Sequence, residues 1–159
     1  MARRITLFAL GLAVAALAAC SSGPARRVSE PAASIQQLAV QADGSWSVSL
    51  RLQNYSSVPM RFDAVDLAVS VGGQAAGSLT DAPALEIGPE SADVVAVRMQ
   101  PASAARMLLA DALAAGRGVD YALDGTISAA PADRGGARSY AVKRTSALSP
   151  TPGLPGVLR

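Results

Sequence analysis

Few residues of this chain could do chemistry. Its 159 residues include one cysteine, Cys20, one lysine, Lys143, and no histidine. The missing imidazole removes Ser-His-Asp and Cys-His nucleophile arrangements and every histidine-ligated metal site. Lys143 could serve a serine nucleophile as its base, yet it stands beside Arg144 in a polar strand position and reads as a solvated surface charge. Two carboxylate pairs could act as acid and base or hold a cation: Asp63 with Asp66, and Asp120 with Asp124. The second pair falls on one outward strand face, about 13 Å apart at the usual rise per residue. That is too far for a shared ligand. Asp63 and Asp66 flank a change of hydrophobic phase and read as charges that discourage edge pairing. The run Gly72-Gly73-Gln74-Ala75-Ala76-Gly77 has the glycines of a phosphate-cradling loop, but Ser78, Leu79 and Thr80 follow where a helix is required. A hairpin turn accounts for it. No catalytic or metal-ligating residue emerges, so no enzyme activity and no cofactor are expected.

Cys20 is different. Arg3 and Arg4 precede an apolar stretch from Ile5 to Leu17, and Leu17-Ala18-Ala19-Cys20 closes it. A basic start, a short apolar core and small residues before a cut site form a secretory signal. A transmembrane helix is the alternative, but it takes about 20 apolar residues; the stretch from Ile5 to Ala19 is shorter and is followed by Ser21, Ser22, Gly23 and Pro24. Leu17-Ala18-Ala19-Cys20 resembles the bacterial lipobox at all four positions. That resemblance implies a signal peptide over residues 1–19, cleavage between Ala19 and Cys20, and a covalent lipid on Cys20. The membrane then becomes a partner through the lipid. Ser21, in place of an aspartate, points to the outer membrane, with the body facing the periplasm. In a bacterium the glycosylation-like triplet Asn54-Tyr55-Ser56 is accidental.

Charge agrees with an envelope role and excludes others. The chain has 14 basic and 12 acidic residues, but Arg3 and Arg4 leave with the signal, and the mature part is balanced. A basic footprint for nucleic acid is therefore absent. Arg26 and Arg27 sit just behind Cys20, where they could add weak attraction to anionic head groups, and read rather as solvated linker charges. One thiol cannot form an internal disulfide, so an apolar core must hold the fold. Half of the residues are hydrophobic and 16% are charged, which argues against disorder.

The elements follow from periodicity. Residues 20–33 are rich in Ser, Gly, Pro and Arg and read as a flexible tether, with the fold beginning near Ser34. Trp46, Val48, Leu50 and Leu52 alternate with polar neighbours, the pattern of a half-buried strand. Leu38, Val40 and Ala42 form a strand before it, and Asp43-Gly44 joins the two as a hairpin. Met60, Phe62 and Ala64 share one face, and the apolar phase then slips to Val65, Leu67, Val69 and Val71, which implies a bulge or a crossing between sheets. Gly72-Gly73 then turns the chain into a weaker strand at Gln74 to Leu79. The segment from Asp81 to Pro89 should be loop or edge, and Ala92 to Met99 a strand. After Pro101, Ser103 can cap a helix with the stripe Ala105, Leu108, Leu109, Ala112 and Leu113, ending at Gly116. Strands return from Val119 to Ile127 and from Arg138 to Thr145. Trp46, Tyr121 and Tyr140 read as core. The tail from Ser146 to Arg159, with Pro150, Pro152 and Pro155, reads as disordered or loosely draped. The sum is an all-β fold of about seven strands with one inserted helix.

The order of these motifs is familiar. A strand ending in Leu50-Arg51-Leu52-Gln53-Asn54 comes first, then a Gly-containing turn within Val69 to Leu79. A Pro-bearing loop before a Val-rich strand follows over Ile87 to Met99, then the helix, then Tyr121-x-Leu123-x-Gly125-x-Ile127. This resembles the late embryogenesis abundant type 2 domain, also called the water stress and hypersensitive response domain, over residues 34–145. Where the family often has Asn-Pro-Asn this chain has Asn54-Tyr55-Ser56, so Asn54 alone matches directly. The resemblance implies a β-sandwich of immunoglobulin or fibronectin type III kind, no catalytic residues, and a link to desiccation and other stress. Strand edges and the helix face also leave room for a protein partner in the envelope.

Overall fold

A computed structural model describes residues 26–159. The lipobox residues Leu17, Ala18, Ala19 and Cys20 lie outside the described residues. Among the described residues nine strands and one helix follow in order: β1 (Ala32–Val40), β2 (Trp46–Gln53), β3 (Met60–Val71), β4 (Gln74–Asp81), β5 (Leu85–Ile87), β6 (Ala92–Met99), α1 (Ser103–Ala114), β7 (Val119–Pro131), β8 (Arg138–Leu148) and β9 (Val157–Leu158). They form two antiparallel sheets, one ordered β6-β2-β1-β9 and the other β4-β3-β7-β8, with β5 pairing the start of β3.

Alternation decides which side of each strand is dry. In β2 the side chains of Trp46, Val48, Leu50 and Leu52 are fully buried, and the residues between them are not. Strand β3 contains the expected bulge, with Ala64 exposed rather than on the inner face: its register with β7 shifts between Phe62 and Ala64, so that Met60 and Phe62 point inward before the slip and Val65, Leu67, Val69 and Val71 after it. The extra residue is Asp63. Both hairpins use the glycines the turns require, with φ of +79° at Gly44 and of +55° and +79° at Gly72 and Gly73. The first is fastened by Asp43, whose carboxylate accepts from the Ser45 hydroxyl at 2.6 Å and the Ser45 N–H at 3.0 Å. Those bonds hold the Asp43 carboxyl below the usual carboxylate range.

Helix α1 crosses from the end of β6 to the start of β7 and buries Ala105, Leu109 and Ala112. Ser103 does not cap it. The cap position belongs to Ala102, which is extended and makes no side-chain cap bond, while Ser103 is the first helical residue. The Ala102 N–H is bonded instead to the Ala76 carbonyl of β4 at 2.8 Å, so a sheet contact fixes where the helix starts. At the far end Gly116 takes φ +63°, and the Arg117 N–H returns to the Ala112 carbonyl.

Two segments differ from the sequence expectation. Strand β8 runs on to Leu148, and the Pro-rich tail beyond it is folded rather than disordered or loosely draped. Residues Ser149 and Arg159 exchange backbone hydrogen bonds, Pro150 bridges to Leu158, and β9 pairs with Leu38 and Ala39 of β1. The reason is burial: Leu158 is completely covered, and it completes the hydrophobic core beside Leu38 and Leu148. Gly153 and Gly156, both at positive φ, make the reversal possible. With β5 this raises the strand count from about seven to nine. The start of the fold also moves, because β1 begins at Ala32 and the residues before it are fastened to the domain.

Candidate functional site

One end of the sandwich collects the segment that leads back toward Cys20. The pairings Ala32 with Gln53, Gln53 with Ala92, and Met60 with both Ile87 and Pro131 place four stretches there: residues 26–31, 54–59, 88–91 and 132–137. Asn54 is the hub. It is 1% exposed, and its side-chain Nδ2 donates toward the carbonyls of Val58 (2.9 Å), Ile87 (3.1 Å) and Gly88 (2.8 Å), while its Oδ1 accepts from the Ser56 N–H at 2.8 Å. One amide thus ties the β2–β3 turn to the β5–β6 turn. Such a bonded, covered amide has a structural job, and no sugar could be attached to it.

The N-terminal segment docks on this scaffold. The Ser56 hydroxyl accepts from the Ser29 N–H at 3.0 Å. The Arg27 N–H donates to the Ser57 Oγ at 2.8 Å, and the Ser57 N–H donates back to the Arg27 carbonyl at 3.0 Å. The Arg27 guanidinium reaches the Tyr55 carbonyl and the Glu90 carboxylate, both at 3.0 Å. Arg26 makes a bidentate pair with Asp133 at 2.5 and 2.8 Å, a geometry that fixes direction as well as charge. Hydrogen bonding from Arg26 holds the Asp133 carboxyl far below the usual carboxylate range. Arg26 and Arg27 are therefore fastened to the domain, not solvated linker charges.

The other singled-out residues stay apart. Asp63 is engaged by the Arg61 guanidinium at 2.6 and 3.3 Å. Asp120 stands opposite Ala147 and Asp124 opposite Lys143 on the outer face of β7 and β8, and all three charged residues are exposed. Among the described residues no three ligand side chains gather as a metal site. At the opposite end a cleft of about 480 Å³ opens between Leu113 and Ala114 of α1 and the tail from Pro150 to Gly156. A second, of about 380 Å³, lies between the α1 C-terminus and β7, beside Asp111, Arg117 and Asp120. Neither holds a converging acid, base and nucleophile. The Asn54 hub went unrecognised as such in the sequence; its signal was the single direct match to the family motif.

Two antiparallel sheets, one crossing helix and an asparagine-tied end define a small β-sandwich class of domain. The late embryogenesis abundant protein family model matches residues 49–145, and the chain belongs to that family. Among solved structures it is similar to a crystal structure of a protein from Archaeoglobus fulgidus, at 13% identity and a TM-score of 0.45, covering 79% of this chain and 98% of that one. It is also similar to a solution structure of a protein from Arabidopsis thaliana, at 13% identity and a TM-score of 0.45, covering 79% of this chain and 81% of that one. Among curated proteins none matches the chain significantly.

Proposed function

We propose that this chain is a non-enzymatic envelope lipoprotein, acylated at Cys20, whose late embryogenesis abundant domain faces the periplasm from the outer membrane and protects or organises envelope components under water or osmotic stress. The observation that carries the reading is the sequence Leu17-Ala18-Ala19-Cys20 standing six residues ahead of Arg26, where the segment fastened to the folded domain begins. A single acyl chain binds a membrane only marginally; the two or three chains of a mature lipoprotein make release negligible. Membership of a stress-linked family supports a protective role.

An accessory subunit of an envelope transport or assembly complex is the second reading. It is favoured by β8, eleven residues long and paired on one side only, with β7. Such an edge accepts an added strand. Pull-down from detergent-solubilised membranes, joined to a drying and salt-stress assay of a deletion strain, separates the two. Stress sensitivity without a stoichiometric partner supports protection; one stoichiometric partner without stress sensitivity supports the subunit.

A further inference from the structure

The two outer faces of the sandwich carry opposite charge. On the sheet β6-β2-β1-β9 the outward positions of β2 are Ser47, Ser49, Arg51 and Gln53, and the β6 residues registered beside the first three are Arg98, Ala96 and Val94. A further guanidinium, that of Arg159, is bonded to Gln37 of β1 at 2.9 Å. The carboxylates nearest this face lie at its rim. Asp43 sits in the hairpin turn, bonded to Ser45 and close enough to Arg98 to be stabilised by its charge, and Asp93 accepts from the Val94 N–H at 2.7 Å. The opposite sheet reverses the sign. Its outer face carries Asp66, Asp120, Asp124 and Glu86 with the bulge residue Asp63, against Arg61 and Lys143, while Arg138 and Arg144 are exposed at its rim along β8.

The geometry points to the outer face of β6-β2-β1-β9 as a docking surface for anionic phospholipid, and we propose that the domain lies on the membrane through it. This rests on acylation at Cys20. The chain between that thiol and the fastened Arg26 is six peptide steps long, which reaches at most about 20 Å. Strand β3 alone is 12 residues, so the body is about 40 Å long at the usual rise. The leash keeps the tethered end within about 20 Å of the surface, and a body twice that long can tip until one face rests on it. Within a Debye length of about 8 Å, an anionic surface attracts each guanidinium and repels each carboxylate. The charge separation across the sandwich therefore turns Arg51 and Arg98 toward lipid and the acidic sheet toward water. Val94, 41% exposed beside Arg51, is the apolar side chain that such a contact would cover.

The test uses the acylated full-length protein in vesicles of phosphatidylglycerol and phosphatidylethanolamine with a headgroup nitroxide. Because Cys20 is consumed by lipid, Ser49→Cys and Ala68→Cys each give one reactive thiol for a fluorophore, one on each outer face. Quenching is expected to be several-fold stronger at position 49 than at 68, and the contrast should collapse in high salt, on phosphatidylcholine alone, and in Arg51→Glu/Arg98→Glu. Equal quenching at both positions, stronger quenching at 68, or a contrast indifferent to salt would overturn the docking while acyl mass and vesicle flotation still upheld the anchor. A protein without acyl mass would overturn both.

Discussion

The Ile35 N–H of β1 donates a 3.1 Å hydrogen bond to the phenol oxygen of Tyr121 on β7, across the interior of the sandwich. The contact joins the two sheets by a polar bond inside an otherwise apolar core. It has a local cause. Strand β1 bulges between Ile35 and Gln37, and its outer neighbour β9 reaches only Leu38 and Ala39, so the Ile35 amide depends on a side chain for its partner. Tyr121 is 3% exposed and supplies it.

Tyr121→Phe keeps the ring and removes the acceptor, leaving a buried amide unsatisfied. The expected loss is about 1–3 kcal/mol of stability, read by urea unfolding monitored at Trp46. Unchanged stability would show that water reaches the Ile35 amide.

Asn54 gives a sharper contrast, because charge and shape separate. Asn54→Ala removes donors from three carbonyls and should cost about 2–4 kcal/mol. Asn54→Asp keeps the shape but points a carboxylate at the oxygens of Val58, Ile87 and Gly88. At pH 7 it should be the less stable of the two variants, and the gap should close in acid as the carboxyl gains a proton. Chemical denaturation at pH 7 and pH 4 measures both.

Gly125 is fixed by a close approach. A Cβ there would lie 2.1 Å from the Asp66 carbonyl oxygen and 2.9 Å from the Leu67 Cα, both backbone atoms of the paired strand β3. Gly125→Ala must push β3 from β7, and a loss of about 3 kcal/mol or more is expected. Melting of purified protein, or failure to accumulate it, reports the result.

The Arg26–Asp133 pair sets the acid limit of the fastened segment. The folded-state pKa of Asp133 is depressed, so its contribution is fully present above the unfolded value near 3.9 and is lost as pH falls through the lower folded value. Amide protection of residues 26–29, corrected for intrinsic exchange, should hold at pH 4 and fall only below it. In Asp133→Asn the protection should already be reduced at pH 7, with the remainder held by the bonds to Ser56 and Ser57, and the melting of the core should change little.

Much of this architecture was legible in the sequence. Alternation marked β2, the phase slip marked a bulge in β3 although it placed Ala64 inward, and Asp43-Gly44 and Gly72-Gly73 marked their turns, because each depends on neighbours in the chain. What escaped depends on distant partners. Arg26 meets Asp133 at a separation of 107 residues and Arg27 meets Glu90 at 63, so neither pairing has a local signature. The tail misled through composition: Pro150, Pro152 and Pro155 resemble a disordered stretch, yet Leu158 finds a covered place beside β1. Ser103 had the right chemistry for a cap and lost the position to a sheet bond at Ala102.

The central claim is the lipid on Cys20. Intact mass of the protein extracted from membranes tests it most directly. The account predicts a mature chain beginning at Cys20 with added diacylglyceryl and acyl mass, and an uncleaved, unacylated precursor in Cys20→Ser. A chain beginning elsewhere, or one beginning at Cys20 without acyl mass, would contradict it.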